Sequence, residues 1–158
     1  MSFFDYLESP LGTVYMIFSG KSLSAISFVK PRMKRGRAPK DFKRDLAEYF
    51  EGRLRQFSQK TVFAEGTEFE KEVWKAIREV PYGETRTYKW LAQRVGSPGG
   101  SRAVGQALSK NPIPIVVPCH RIIESTGNIG GYSSGVHIKR RLLEMEYYNS
   151  LKAGKTES

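Results

Sequence analysis

The stretch Asn111-Pro112-Ile113-Pro114-Ile115-Val116-Val117-Pro118 constrains this chain more than any other part of it. It is apolar enough to demand burial. Its prolines fix φ and remove backbone donors, so it cannot be helical and makes a poor central strand. What remains is a buried, stiffened connection, which delivers the chain to Cys119-His120-Arg121.

The elements around this connection differ on its two sides. Asp5–Ser9 and Thr13–Ser19 flank Pro10-Leu11-Gly12 and read as a hairpin, with Leu23–Val29 as a third strand. Pro31 to Pro39 reads as an exposed basic loop. Phe42, Leu46, Tyr49 and Phe50 recur at helical spacing and end near Gly52, and Thr61–Ala64 is a weak strand. From Thr67 the texture changes to helices. Thr67 and Glu70 form a capping box, followed by an apolar face of Phe69, Val73, Ala76, Ile77 and Val80. Thr87 caps a second helix with Leu91, Ala92 and Val95 inward, and Ser101 caps a third with Ala103, Val104, Ala107 and Leu108 inward. Two short helices around a glycine-containing turn fit a helix-turn-helix. Ile122–Ile123 and the segment from Ser125 to Tyr132 suggest a wing-like hairpin. A last helix starts near Val136, with Ile138, Leu142 and Leu143 inward and Glu146 in its final turn. The expected division is an α/β domain over 1–65, a helix-turn-helix domain over 66–150 and a frayed tail over 151–158.

Length and composition fit this division. The 158 residues, 39% hydrophobic and 27% charged, suit one soluble domain or two small ones. No window approaches the ~18 consecutive apolar residues that span a bilayer. The acidic start, Met1 to Glu8, does not read as a secretory signal. Cys119 is the only cysteine, which excludes an internal disulfide and a multi-cysteine zinc site, so a cytoplasmic chain with a reduced thiol is expected.

The formal charge of +10 is unevenly placed. Lys30, Arg32, Lys34, Arg35, Arg37, Lys40, Lys43 and Arg44 stand against Asp41 alone, a local net of +7. Between residues 84 and 121, six basic side chains stand against Glu84, a net of +5. A localised basic excess suits a polyanionic partner, nucleic acid ahead of membrane. On charge alone a solvated face explains it equally well.

A lone cysteine is most often a small buried hydrophobe. Cys119, however, sits between a rigid proline-rich segment and a histidine, off any regular apolar face. An unperturbed thiol has a pKa of roughly 8.5, and only its thiolate is nucleophilic, so an adjacent imidazole would help.

Asn111-Pro112-Ile113-Pro114 followed by Val117-Pro118-Cys119-His120-Arg121 resembles the active-site signature of the O6-alkylguanine-DNA alkyltransferases. Four further motifs match that family in order and spacing, covering about residues 67–147. They are Pro81-Tyr82-Gly83-Glu84 with Thr87-Tyr88, Ser101-Arg102-Ala103-Val104-Gly105, Gly131-Tyr132-Ser133, and Lys139, Leu142, Leu143 and Glu146. The resemblance implies a ribonuclease-H-like α/β domain followed by a winged-helix-like domain. It implies a protein that acts, as a monomer and without cofactor or metal, on duplex DNA containing O6-alkylguanine, and on O4-alkylthymine as well. The damaged nucleotide would be flipped out of the stack, since a thiol inside a protein cannot reach a paired base. The alkyl group would pass irreversibly to Cys119, once per molecule.

The same resemblance assigns roles. Cys119 is the nucleophile, His120 its base through a water, and Glu146 the group that orients His120, similar in logic to a hydrolase triad. Asn111 braces the turn that holds Cys119, and Tyr88 donates a hydrogen bond to the flipped guanine. Arg102 fills the gap the nucleotide leaves, with Ser101, Ala103, Gly105, Thr87 and Arg121 also on the DNA side. The recognition helix would enter the minor groove. Pro114 and Tyr132 wall the alkyl group, and backbone at Cys119, Ile122 and Ser133 reads the base. Ser134 stands where more open-pocketed members have glycine. With His120 and His137 the only histidines, the structural zinc of some members has no ligands here.

Three other readings differ in testable ways. A non-enzymatic relative that binds alkylated DNA would lack the cysteine. A winged-helix regulator would bind an operator, usually as a dimer. A Cys-His hydrolase would turn over without DNA.

Overall fold

A computed structural model describes residues 1–157, and side chains as far as Lys152. The chain forms two compact units. The first holds Met1–Glu65 together with Pro112–Val116; the second holds Gly66–Asn111 and the chain from Val117 onwards. The proline-rich segment, expected to lie wholly within the second domain, thus packs mostly with the first unit.

In the first unit, β1 (Ser2–Ser9), β2 (Gly12–Ser19) and β3 (Ser22–Ser27) make an antiparallel sheet in the order β1-β2-β3. The strand period of two buries Val14, Met16 and Phe18 on one face of β2. Helix α1 (Lys40–Phe50) supplies Phe42, Leu46 and Tyr49 to that core, with Phe18 and Phe42 meeting edge-on at 5.8 Å. The weak strand reduces to one bridge, Leu23 to Thr61. The basic stretch is not the free loop that its composition suggests. Phe4 N–H donates to Lys34 O, Gly36 N–H donates to Phe4 O, and Ala38 N–H donates to the buried Asp5 carboxylate. From the other end of the chain, Pro112 O accepts from Ile26 N–H. Ile115, a β-branched residue in the left-handed region at φ 76°, turns that segment sharply at a cost of about 1–3 kcal/mol.

The second unit is helical, and its capping box forms: Thr67 and Glu70 bond reciprocally at the start of α2 (Glu68–Ile77). Trp74 is buried on the same helix and donates its indole N–H to Ala107 O at 2.8 Å. Thr87 caps α3 (Tyr88–Arg94) by accepting from Trp90 N–H. Ser101 does not cap α4 (Ser101–Ser109): Gly100 holds the cap position and Ser101 is already helical. Ala103 is exposed, because the stripe through Val104, Ala107 and Leu108 puts it on the outer face. The wing is not a hairpin either. After a 3-10 turn (Cys119–Arg121), β5 (Ile122–Ile123) pairs in parallel with β4 (Arg86–Thr87), and residues 124–128 close a single tight turn. The last helix, α5, runs Val136–Glu157, so Glu146 sits in its middle rather than its final turn. The tail expected to fray from Leu151 is helical to Glu157, and Ser158 lies outside the described residues.

Candidate active site

Pro118 is where the proline pattern becomes geometry. At φ −81° and ψ 63° it forms an inverse γ-turn, with Cys119 N–H donating to Val117 O at 2.8 Å. Val117 O also accepts from Asn111 Nδ2 at 2.9 Å, and the same amide nitrogen lies 3.2 Å from Cys119 Sγ. The expected brace is therefore a direct one: one amide group holds the turn and the sulfur together.

Cys119 is 4% exposed and lines an open cavity of about 700 Å3. Arg102 and Gly105 of α4 contribute to the lining, with Tyr88 of α3 and Gly131, Tyr132 and Ser133 of the following loop. Burial pushes the thiol up to about 11, against smaller lowering effects of the Asn111 hydrogen bond and the Lys139 charge. The resting sulfur is thus a neutral thiol. Iodoacetamide labelling of Cys119 is expected to be slow at pH 7 and to accelerate toward pH 11; a rate already at its plateau by pH 8 would show instead a resting thiolate.

Behind the sulfur lies a charge cluster. Glu146, 1% exposed, accepts from His120 Nε2 at 2.6 Å and from both Nε and Nη2 of Arg121, at 2.8 and 3.0 Å. Burial raises the Glu146 carboxyl, but the facing His120 and the Arg121 bonds outweigh it and hold the group well below 4.5. His120 is lowered, by burial first, since Arg121 already balances the carboxylate. A neutral imidazole whose Nε2–H donates to Glu146 leaves Nδ1 unprotonated. Nδ1 is buried and has no hydrogen-bond partner among the described residues, so it is the atom free to take a proton.

The resemblance puts Arg121 on the DNA side, but the residue is buried, with Nη1 donating to Val80 O at 2.9 Å and the rest of its fork on Glu146. Its role is to balance the carboxylate. Arg102 and Ser101 are exposed and face the cavity, whereas Ala103 is exposed but outside the lining. Thr87 serves the α3 cap. Pro114 is buried, belongs with its segment to the first unit, and is not among the residues that line the cavity. Ile122 is buried and presents its carbonyl to Lys139, and Ser134 lies outside the lining.

Lys139 is the residue that the sequence reading left without a role. It is buried, donates to Ile122 O at 2.7 Å and Gly131 O at 3.1 Å, and lies 5.9 Å from the Tyr88 ring. Burial lowers it to about 8, with Cys119 and Glu124 acting in the opposite direction. Its spacing of i, i+3 and i+7 with Leu142 and Glu146 puts all three on one helix face, which is the sign of its burial in the sequence. The nearby loop passes so close to Tyr88 that Gly130, at φ 77°, could carry no side chain: a Cβ would meet the Tyr88 hydroxyl at 2.7 Å.

Among the described residues, no cluster of three His, Cys, Asp or Glu side chains could hold a metal ion, and no helix is long and apolar enough to cross a membrane.

The family "6-O-methylguanine DNA methyltransferase, DNA binding domain" matches residues 68–148, and its "ribonuclease-like domain" matches residues 3–62. A methylated-DNA–protein-cysteine methyltransferase of Methanosarcina barkeri is 44% identical, covering 93% of this chain and 98% of its own. One of Mycobacterium leprae is 39% identical, covering 92% of each. The structure of the Mycobacterium tuberculosis O6-methylguanine methyltransferase superposes with a TM-score of 0.87 at 36% identity, covering 94% of each chain. The same organism's OGT in complex with DNA gives 0.87 at 36% identity, covering 92% of this chain and 93% of that one.

Proposed function

The chain belongs to the 6-O-methylguanine DNA methyltransferase family, and from that footing we propose how its own residues carry out the reaction. The activity is direct-reversal DNA repair: an alkyl group leaves guanine O6 in duplex DNA for the sulfur of a cysteine in the protein, once per molecule. Cys119 is the acceptor. The observation that carries this is its position, the chain's only thiol, at a cavity walled by Arg102 and Gly105 of the second helix of the helix-turn-helix.

Arg102, exposed at the start of α4, fills the stack as the damaged nucleotide rotates into the cavity. His120 Nδ1 takes the thiol proton through a water, and Glu146 holds the resulting imidazolium. The thiolate then attacks the O6-alkyl carbon: a C–S bond forms, the C–O bond breaks, and the electron pair moves onto the guanine ring. Guanine takes up one proton, balancing the one that the thiol gave to His120, and leaves neutral, with the Tyr88 hydroxyl donating a hydrogen bond to it. Burial, foremost, raises the Tyr88 phenol, so it remains a hydrogen-bond donor at neutral pH. An ionised sulfur in a buried pocket is costly, and it persists only while the base is there to receive its charge. The thioether product has no group beside it that can hydrolyse it. O4-alkylthymine as a second substrate, and a cytoplasmic site of action for this unpaired thiol, form part of the same proposal.

The test is mass spectrometry of the protein after mixing with a duplex that contains O6-methylguanine. Expected is a stoichiometric gain of one methylene on the peptide bearing Cys119, with guanine restored in the DNA. Bound DNA and an unchanged mass would make the protein a lesion-binding module and Cys119 a structural residue.

A further inference from the structure

The transfer chemistry makes no use of the densest charge in the molecule, which lies in the first unit. Arg35, Arg37, Lys40 and Lys43 line one surface depression of about 890 Å3, together with Gly36 and Asp5. Lys30, Arg32 and Lys34 are exposed along the same stretch.

Two features separate this depression from a generally basic surface. First, its backbone is held in place. The stretch runs along the edge of β1 through the Phe4–Lys34 and Phe4–Gly36 hydrogen bonds. Asp5, 3% exposed, clamps it from below by accepting from Ala38 N–H at 2.9 Å and pairing with Lys43 at 3.3 Å and Arg35 at 3.8 Å. Burial raises the Asp5 carboxyl, but the Ala38 and Tyr6 N–H groups and Lys43 outweigh it, so the clamp stays charged. Second, the clamp consumes only part of the charge. Arg37 and Lys40 are exposed and have no carboxylate partner among the described residues. A buried acid that holds Arg35 and Lys43, with Arg37 and Lys40 on the same pinned backbone, leaves a positive hollow. Charges on a pinned backbone meet a polyanion at less entropic cost than charges on a free loop.

We infer that the depression lined by Arg35, Arg37, Lys40 and Lys43 seats the phosphodiester backbone of duplex DNA, a contact additional to that of the helix-turn-helix. The occupant follows from charge complementarity and from the repair reading above, on which the inference rests. A repair protein must survey DNA of any sequence, and phosphate contacts provide affinity without sequence preference. Asp5 acts here as a positioning residue: it touches no DNA and sets where the cations stand.

The experiment measures DNA affinity against salt concentration for the full chain and for Arg37→Gln/Lys40→Gln, a pair that the clamp does not use. Each phosphate contact contributes a slope of about 0.9 in log K against log salt, so the double variant should be shallower by about 1–2. Affinity should fall on the order of tenfold or more at low salt, by the same factor for damaged and undamaged duplex. A second variant, Asp5→Asn, separates positioning from net charge. It makes the chain more positive and should still weaken binding, because an amide has one acceptor oxygen for the Tyr6 and Ala38 N–H groups. An unchanged slope in the double variant would overturn the inference, as would a loss confined to damaged duplex or to heparin. Methyl uptake by the wild type is the control. If it is absent, the repair reading fails; if it is present with unchanged slopes, only the second contact fails.

Discussion

Cys119→Ser is expected to abolish methyl uptake while leaving binding to O6-methylguanine duplex within a few-fold of the wild type. The serine hydroxyl can still accept from Asn111, so the Pro118 turn and the cavity wall keep their hydrogen bonds. What is lost is the acidity and softness of sulfur: His120 Nδ1 cannot generate a useful alkoxide, and no other thiol exists in the chain. Intact-protein mass spectrometry and a binding titration on the same sample check both halves. Methyl transfer to any other residue of the variant would remove Cys119 from the centre of the reaction.

Glu146→Gln is expected to cost stability and activity together. The carboxylate is the shared partner of His120 and Arg121, both buried, and a neutral amide leaves the Arg121 charge unbalanced. Removing one partner of a buried pair typically costs roughly 3–5 kcal/mol, which denaturant melts would read directly. The pH dependence distinguishes this role from packing. Because the folded carboxyl lies below its ordinary value of 4.5, its contribution is fully present above that value and is lost as pH falls through the lower folded value. The wild type should therefore lose stability on acidification below about pH 4.5, and the variant, with no acid at that position, should lose less. Transfer should also slow, because a glutamine cannot hold the His120 imidazolium. A variant as stable as the wild type, with parallel acid profiles, would contradict the charge cluster described here.

On the proposed mechanism the cysteine is inert at rest and reactive only toward a bound base. Burial keeps the thiol protonated, His120 Nδ1 is unprotonated, and charge would develop on sulfur only when a base fills the cavity.

Much of this was legible along the chain. Thr67 and Glu70 announced their helix because a capping box is local, made within four consecutive residues. The three prolines and Asn111 announced an irregular, braced turn at Cys119, because proline acts on its own φ and its own missing donor. The motifs around Cys119 and Arg102 were enough to suggest the chemistry. The errors fell on residues whose roles are decided by distant partners. Arg121 reads as a DNA contact beside the nucleophile until Glu146, from the middle of α5, takes its guanidinium into the interior. Lys139 has no role in the sequence beyond its place in a motif until the carbonyls of Ile122 and Gly131 receive its ammonium. The stretch from Pro31 to Pro39 reads as free until Asp5 pins it.

The sequence by itself marked the candidate nucleophile, the two-part architecture and the basic character of both units, since these depend on residue identity and short-range spacing. Only the tertiary structure decided which charges stay exposed and which face each other. A charged side chain is buried or exposed according to whether the fold brings it a partner, and that partner lies tens of residues away in the chain.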